Sequence, residues 1–222
     1  RRMADPLSMS VLGAWVELHP KEPKRHTLYL SQSGLALPEN SYYTSDQAPF
    51  PAIRQDYLQY MADSFSRAGL ADARQRAAAV LAFETALARV HWSPEERRDR
   101  LKNYHPMTRA ELLAHAPGFP WAAFLDAYGV PEQDEFIVQT DSAVQKTASL
   151  MADTSLDTLR DYLAFHLINR YAPYLPKAYA DANFAFFSTR LSGIKEQRER
   201  PLRGLGLVNG TLGELLGRIY VG

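Results

Sequence analysis

The chain has 222 residues, enough for one large domain or two small ones, and at this size about 70% of the unfolded surface can be buried without staples. Its 25 Lys+Arg balance its 25 Asp+Glu, which argues against a dedicated nucleic-acid binder and against a general attraction to anionic membrane. There is no cysteine, so disulfides, thiolate zinc sites and a cysteine nucleophile are excluded.

The longest clean apolar run is Ala77 to Phe83, far short of the roughly 18 residues of a membrane span. The N-terminus, Arg1-Arg2-Met3-Ala4-Asp5-Pro6, has no apolar segment before Ser8 and Ser10. It reads neither as a signal peptide nor as a natural start.

Residues 7–32 read as a β-hairpin. Val11, Leu12, Trp15 and Val16 form one run and Thr27 to Leu30 the other, with a polar turn over His19 to Lys24 whose two prolines stop either strand from extending. Residues 33–43 are a loop punctuated by Gly34 and Pro38.

From Pro51 the pattern is helical. Ile53, Tyr57, Tyr60, Met61, Phe65 and Ala68 recur at helical spacing, and Gly69 closes the helix. Asp72 is a candidate cap for a second helix, whose apolar face runs through Ala77, Val80, Leu81, Glu84, Leu87, Ala88 and His91. Ser93-Pro94 starts a third helix, and Thr108 to Glu111 is a capping box for a short fourth. Pro120 opens another short helix that ends near Tyr128-Gly129.

Phe136 to Val138 is the one later strand candidate, near the lower length limit. A long helix over 155–172 carries Leu156, Leu159, Leu163, His166, Leu167 and Tyr171 as its apolar set, and Pro173 and Pro176 separate it from a helix over 177–191. The last helix, Pro201 to Tyr220, carries a continuous stripe of Leu202, Leu205, Val208, Leu212, Leu215, Leu216 and Ile219. The fold class is mainly α: a multi-helix, bundle-like lobe with a small N-terminal β-hairpin. The chain is expected to be one domain or one lobe of a larger protein, with a hairpin element at 7–32 and a helical body at 50–221.

A local zinc motif needs two histidines a helical turn apart, with a glutamate as base. His19, His26, His91, His105, His115 and His166 are all too widely spaced for that. There is no G-x-S-x-G, P-loop or dinucleotide fingerprint. Gly204 to Gly210 lies inside an apolar helical stripe, whereas a phosphate loop should follow a strand, so close helix packing is the better reading.

His166 lies on an apolar face and could be a general base, but no orienting partner is identifiable, so it reads as a core histidine bonded to a backbone carbonyl. Glu84 on an apolar stripe must be paired, and the plain reading is a salt bridge to an arginine. The mixed charges from Glu95 to Lys102 read as a solvated face. The basic run Lys195 to Arg203 reads as an acidic-partner site or an exposed linker. Tyr171, Tyr174, Tyr179, Phe184, Phe186 and Phe187 are dense enough to line a peptide groove, although aromatics at such spacing usually form core.

Several strings, in order, resemble the neprilysin and endothelin-converting-enzyme family of zinc metallopeptidases. Gly34-Leu35-Ala36-Leu37-Pro38 followed by Tyr42-Tyr43 is similar to that family's Gly-Leu-Gly-Leu-Pro and Tyr-Tyr signature, with Ala36 for the second glycine and Asn40-Ser41 for a usual Arg-Asp pair. Arg98-Asp99, Lys102, Tyr104 and Pro106-Met107-Thr108 match a second element, with His105 where asparagine is usual. Ala172 to Lys177, Asn183-Phe184 and Leu191 to Gly193 resemble the bacterial branch. Val208-Asn209-Gly210, Gly213-Glu214, Gly217-Arg218 and Tyr220-Val221 resemble the closing element. The lack of cysteine also suits a bacterial member.

The resemblance implies a two-lobed, mostly helical zinc peptidase. Its zinc site would lie in the other, later lobe, and the present region would cap the central chamber and limit access to peptides. No catalytic or metal-binding residue carries over to this chain, and substrate contacts are unassigned. Zinc would belong to the whole protein, and the partners would be the catalytic lobe of the same polypeptide and peptide substrates, without nucleic acid. Family habit favours the periplasm or cell surface. The rival reading is a stand-alone helical module that binds a peptide or protein without catalysis.

Overall fold

The structure is a computed structural model, and it describes residues 10–221. The residues expected to start the hairpin, 7–9, lie outside that range, as does the basic N-terminus. The hairpin itself is present as β1 (Leu12–His19) and β2 (Glu22–Gln32). Its turn is tighter than the prolines suggest, because His19 pairs directly with Glu22 and Pro23 lies within β2. Proline is tolerated there because β2 meets its second neighbour only at Leu28 to Leu30, which leaves the Pro23 end open on one side.

The helices follow in the expected order, beginning with a single turn, α1 (Ser41–Thr44), inside the segment read as loop. Next come α2 (Phe50–Arg67) and α3 (Ala73–Val90), which pack side by side. Gly69, at φ +74°, ends α2 in the left-handed conformation expected of a closing glycine. Asp72 does precede α3, but its backbone is left-handed and its side chain caps nothing. The capping boxes at Ser93 and Thr108 both form, opening α4 (Pro94–Arg98) and α5 (Arg109–His115). The short α6 (Trp121–Ala127) follows Pro120.

Two features went unread in the sequence. His105–Thr108 forms β3, antiparallel to β4 (Glu135–Val138), and Asp141–Asp153 forms α7. β3 is only four residues long and contains Pro106, so it has no strand signature of its own. It exists because it pairs with β4 at the edge of the sheet. The buried side of α7 is Ala143, Val144, Thr147 and Ala148, helically spaced but mostly small residues that let the helix lie close against α3 and β2. The sheet order is β1-β2-β4-β3, with β2 and β4 parallel. The sheet therefore draws half its strands from the expected helical body, β4 at the strand candidate read there and β3 beside it.

The chain ends with α8 (Leu156–Tyr171), a 3-10 turn at Ala172–Tyr174, α9 (Lys177–Asn183), a π-helical stretch at Phe184–Arg190 and α10 (Arg200–Val221). The core joins one sheet face (Leu28, Leu30, Phe136, Val138) to α2, α3 and α8. Its aromatics interlock: Tyr60 stacks on Phe186 at 5.3 Å, and Phe165 meets Tyr57 edge-on at 5.8 Å.

α8 reverses an expectation. Its buried side is Asp161, Tyr162, Phe165 and His166. Leu156, Leu163, Leu167 and Tyr171, taken from the sequence as its inner face, are exposed. The helix is apolar on two sides, and the side with the larger aromatic area is the one that packs inward.

Candidate functional site

Glu84 is fully buried at the centre of a polar knot. Its Oε1 lies 2.6 Å from Nε2 of His166 on α8. Its Oε2 accepts hydrogen bonds from the hydroxyls of Tyr43 and Tyr57, both at 2.9 Å. The Tyr43 hydroxyl in turn accepts the Leu37 backbone N–H at 2.9 Å. The salt bridge expected between Glu84 and an arginine is therefore replaced by a histidine and two phenols. The backbone carbonyl expected for His166 is replaced by the carboxylate of Glu84. Tyr43 supplies the link that periodicity missed, because it comes from the single turn of α1, too short to show a helical repeat.

A third tyrosine, Tyr162 of α8, donates to the Gly34 carbonyl at 2.7 Å. Together these bonds tie the 33–43 loop to three helices. Burial first, and the Glu84 charge second, push the hydroxyls of Tyr43, Tyr57 and Tyr162 well above the usual 10.0. A phenol whose folded pKa is raised stabilises the fold fully below pH 10.0, and that contribution is lost as pH rises through the folded values. Alkaline titration is expected to show these three tyrosines releasing protons only as the chain unfolds, in one step followed by phenolate absorbance and circular dichroism together. Smooth ionisation of all tyrosines before unfolding would contradict the closed knot.

The other histidines are dispersed. The His115 ring faces the Asp141 carbonyl at 3.0 Å, and the His105 ring faces the Val138 carbonyl at 3.2 Å. Burial, and then Arg97, push the imidazole of His91 down to about 4. Its Nε2 is buried without a hydrogen-bond partner. Because this folded value lies below the usual 6.5, the stability it contributes is present above pH 6.5 and fades as pH falls toward 4. The His91 ring signals in NMR are expected to remain those of the neutral form at about pH 5.5, where a freely solvated imidazole is already mostly protonated. Protonation of His91 at that pH would refute this. Among the described residues, no group of three or more His, Asp or Glu side chains converges in a way that could hold a metal ion.

The remaining sequence candidates are surface features. The run Glu95 to Lys102 is solvated, apart from its capping contacts at Ser93. Of the basic run, residues 195–199 form an exposed connection, and the rest lies in the first turn of α10. Gly204 to Gly210 lies within α10, as expected of a helix and not of a phosphate loop. The aromatics divide: Phe186 is core and Phe187 packs against it, whereas Tyr171 and Tyr174 are exposed.

α10 shows no buried residue, and Leu205, Leu215 and Ile219 are 64%, 55% and 78% exposed. Its apolar stripe is broken by a kink at Leu212. An open groove of about 1240 Å³ separates α10 from the turn at Pro173 to Leu175 and from α9. A smaller groove of about 350 Å³, at the sheet end near His19, Tyr104 and Phe136, is crossed by the ion pairs of Arg25 with Glu22 and Glu135. Neither groove reaches Glu84. The described residues thus form a closed structural knot and leave two helix faces, on α8 and α10, uncovered.

The model of peptidase family M13, in its N-terminal part, matches residues 2–222. The chain belongs to this family. As an M13 member it is similar to endothelin-converting enzyme 1 of Rattus norvegicus, with 28% identity over 216 residues, covering 94% of this chain and 28% of that enzyme. The same enzyme from Cavia porcellus is 29% identical over 181 residues, covering 78% of this chain and 24% of that enzyme. Among solved structures, the open state of the Mycobacterium tuberculosis zinc metalloprotease Zmp1 superposes with a TM-score of 0.91 at 30% identity, covering 96% of this chain and 33% of that one. PepO from Lactobacillus rhamnosis, at 14% identity and a TM-score of 0.78, shares the fold. The M13 chain described here spans about a quarter of the length of the endothelin-converting enzymes it matches. No helix among its described residues is long and apolar enough to cross a membrane.

Proposed function

We propose that this chain is the helical lobe of a zinc metallopeptidase, and that it walls the substrate chamber and restricts access to peptides. The observation that carries this reading is the superposition of 96% of the chain on one third of Zmp1 at a TM-score of 0.91. Family M13 comprises zinc metallopeptidases, and zinc would polarise the scissile carbonyl and activate water in such an enzyme. The donors described here do not fit that ion: the His105 and His115 rings face backbone carbonyls, His166 is held by Glu84, and among the described residues no three ligands converge. No catalytic step is assigned to residues of this chain. Their part is to hold a rigid wall, for which the Glu84 knot and the interlocked aromatics are the means.

The test uses the whole peptidase. It is expected to cleave a short quenched-fluorescence peptide in a chelator-sensitive way and to spare the same sequence displayed on a large folded carrier. The 222-residue chain alone is expected to cleave neither. Equal cleavage of peptide and carrier would remove the access-limiting role, and hydrolysis by the chain alone would remove the division of labour.

A further inference from the structure

The groove beside α10 has no occupant among the described residues. One wall is Tyr174 and Leu175, and the other is Leu202, Gly206, Leu207 and Gly210 of α10. A cylinder as wide as a helix, about 10 Å, would fill 1240 Å³ over about 16 Å, or about ten residues. Gly206 and Gly210 stand one helical turn apart on one face. A Cβ built at either would meet no atom within 4 Å. Glycine weakens a helix interior, and among the described residues no close packing calls for these two. They would instead let a second helix approach closely, since the distance between helix axes is set by the side chains at the contact.

The rim is basic. Arg198, Arg200 and Arg203 line it, and none of the three makes an ion pair among the described residues. The other lining charges, Lys177 and Asp181, neutralise each other. The occupant should therefore carry carboxylates. Its source follows from length. In Zmp1 this fold is 33% of the chain, so most of such a peptidase lies outside the matched region. α10 also presents apolar side chains that no element among the described residues covers.

We infer that this groove seats a helix of about ten residues from the part of the peptidase outside residues 1–222. That helix places aliphatic side chains against Gly206 and Gly210 and carboxylates toward Arg198, Arg200 and Arg203. The inference rests on the peptidase reading above and adds the seat, the size and the charge of the docking element.

The experiment places a photo-crosslinking amino acid at Leu207 in the full-length peptidase and maps the linked peptide by mass spectrometry. The expected product joins position 207 to a helical, Asp- or Glu-bearing segment outside residues 1–222. Crosslinks confined to residues 1–222, of the same or a second copy, would overturn the inference, as would a linked segment without carboxylates. A second variant, Gly206→Leu with Gly210→Leu, guards against a failed crosslink. It is expected to lower the melting temperature of the full-length protein by about 1–3 °C, because side chains would fill the seat. In the 222-residue chain the same pair should leave helix content undiminished, since leucine is the better helix former. An unchanged melting temperature in the full-length protein would also overturn it. Chelator-sensitive cleavage by the unmodified enzyme separates the two readings. If cleavage is present and these results fail, only the docking seat falls, and if cleavage is absent, the peptidase reading itself falls.

Discussion

Glu84→Ala is expected to destabilise the chain by about 3–5 kcal/mol, the cost of leaving several buried polar groups without a partner. The change strands three groups at once: the His166 ring and the hydroxyls of Tyr43 and Tyr57, all of which now point at the carboxylate. Each buried polar group left without a partner costs about 1–3 kcal/mol. Urea unfolding followed by tryptophan fluorescence reads the effect, and a fall of less than about 1 kcal/mol would mean that water or another group replaces the carboxylate. A double-mutant cycle with Glu84→Leu and His166→Leu adds a sharper check. The two residues touch, so the double variant should lose less than the sum of the singles. Strict additivity would show that the 2.6 Å contact carries no coupling.

Gly34→Ala is expected to be nearly as damaging, about 3–5 kcal/mol, for a steric reason. The Gly34 backbone has φ +95°, and a Cβ there would lie 2.5 Å from the Tyr162 hydroxyl and 2.8 Å from the Val11 Cα. The tyrosine cannot simply withdraw, because it donates to the Gly34 carbonyl, and the Val11 contact is main chain. Gly69→Ala is the control. Gly69 has φ +74° but nothing within 4 Å of a built Cβ, so only the backbone strain of about 1–2 kcal/mol should appear. Equal losses at the two sites in urea unfolding would show that φ alone governs both and that the Tyr162 contact is soft.

These two residues show how far a linear reading reaches. Gly34 was legible as part of a family signature, and the structure supplies its physical reason: an L side chain has neither the conformation nor the room. Glu84 was legible as a residue that must be paired, because a lone carboxylate on an apolar stripe is too costly. The identity of its partners was not legible. They lie 41, 27 and 82 residues away in the sequence, and one comes from the single turn of α1, too short for periodicity. The two uncovered faces followed the same rule. The stripe on α10 was visible as apolar spacing, but which side of α8 would face inward was not, since both sides are apolar and only the packing of Tyr162 and Phe165 against α2 and α3 decides.

The sequence by itself determined several of the helix ends. Ser93 and Thr108 bond to backbone N–H groups three residues away, and Gly69 adopts a conformation that side chains resist. These are local effects, complete within one turn of chain. It also carried enough ordered motifs to place the chain in its family. Tertiary structure alone decided the rest. β3 is a strand because β4 lies beside it. α7 is held by small residues close to α3 and β2. Glu84 is satisfied by groups brought from three other helices, α1, α2 and α8. Each of these depends on surfaces far apart in the chain, whose meeting is set by how the whole core fills space and not by any nearby residue.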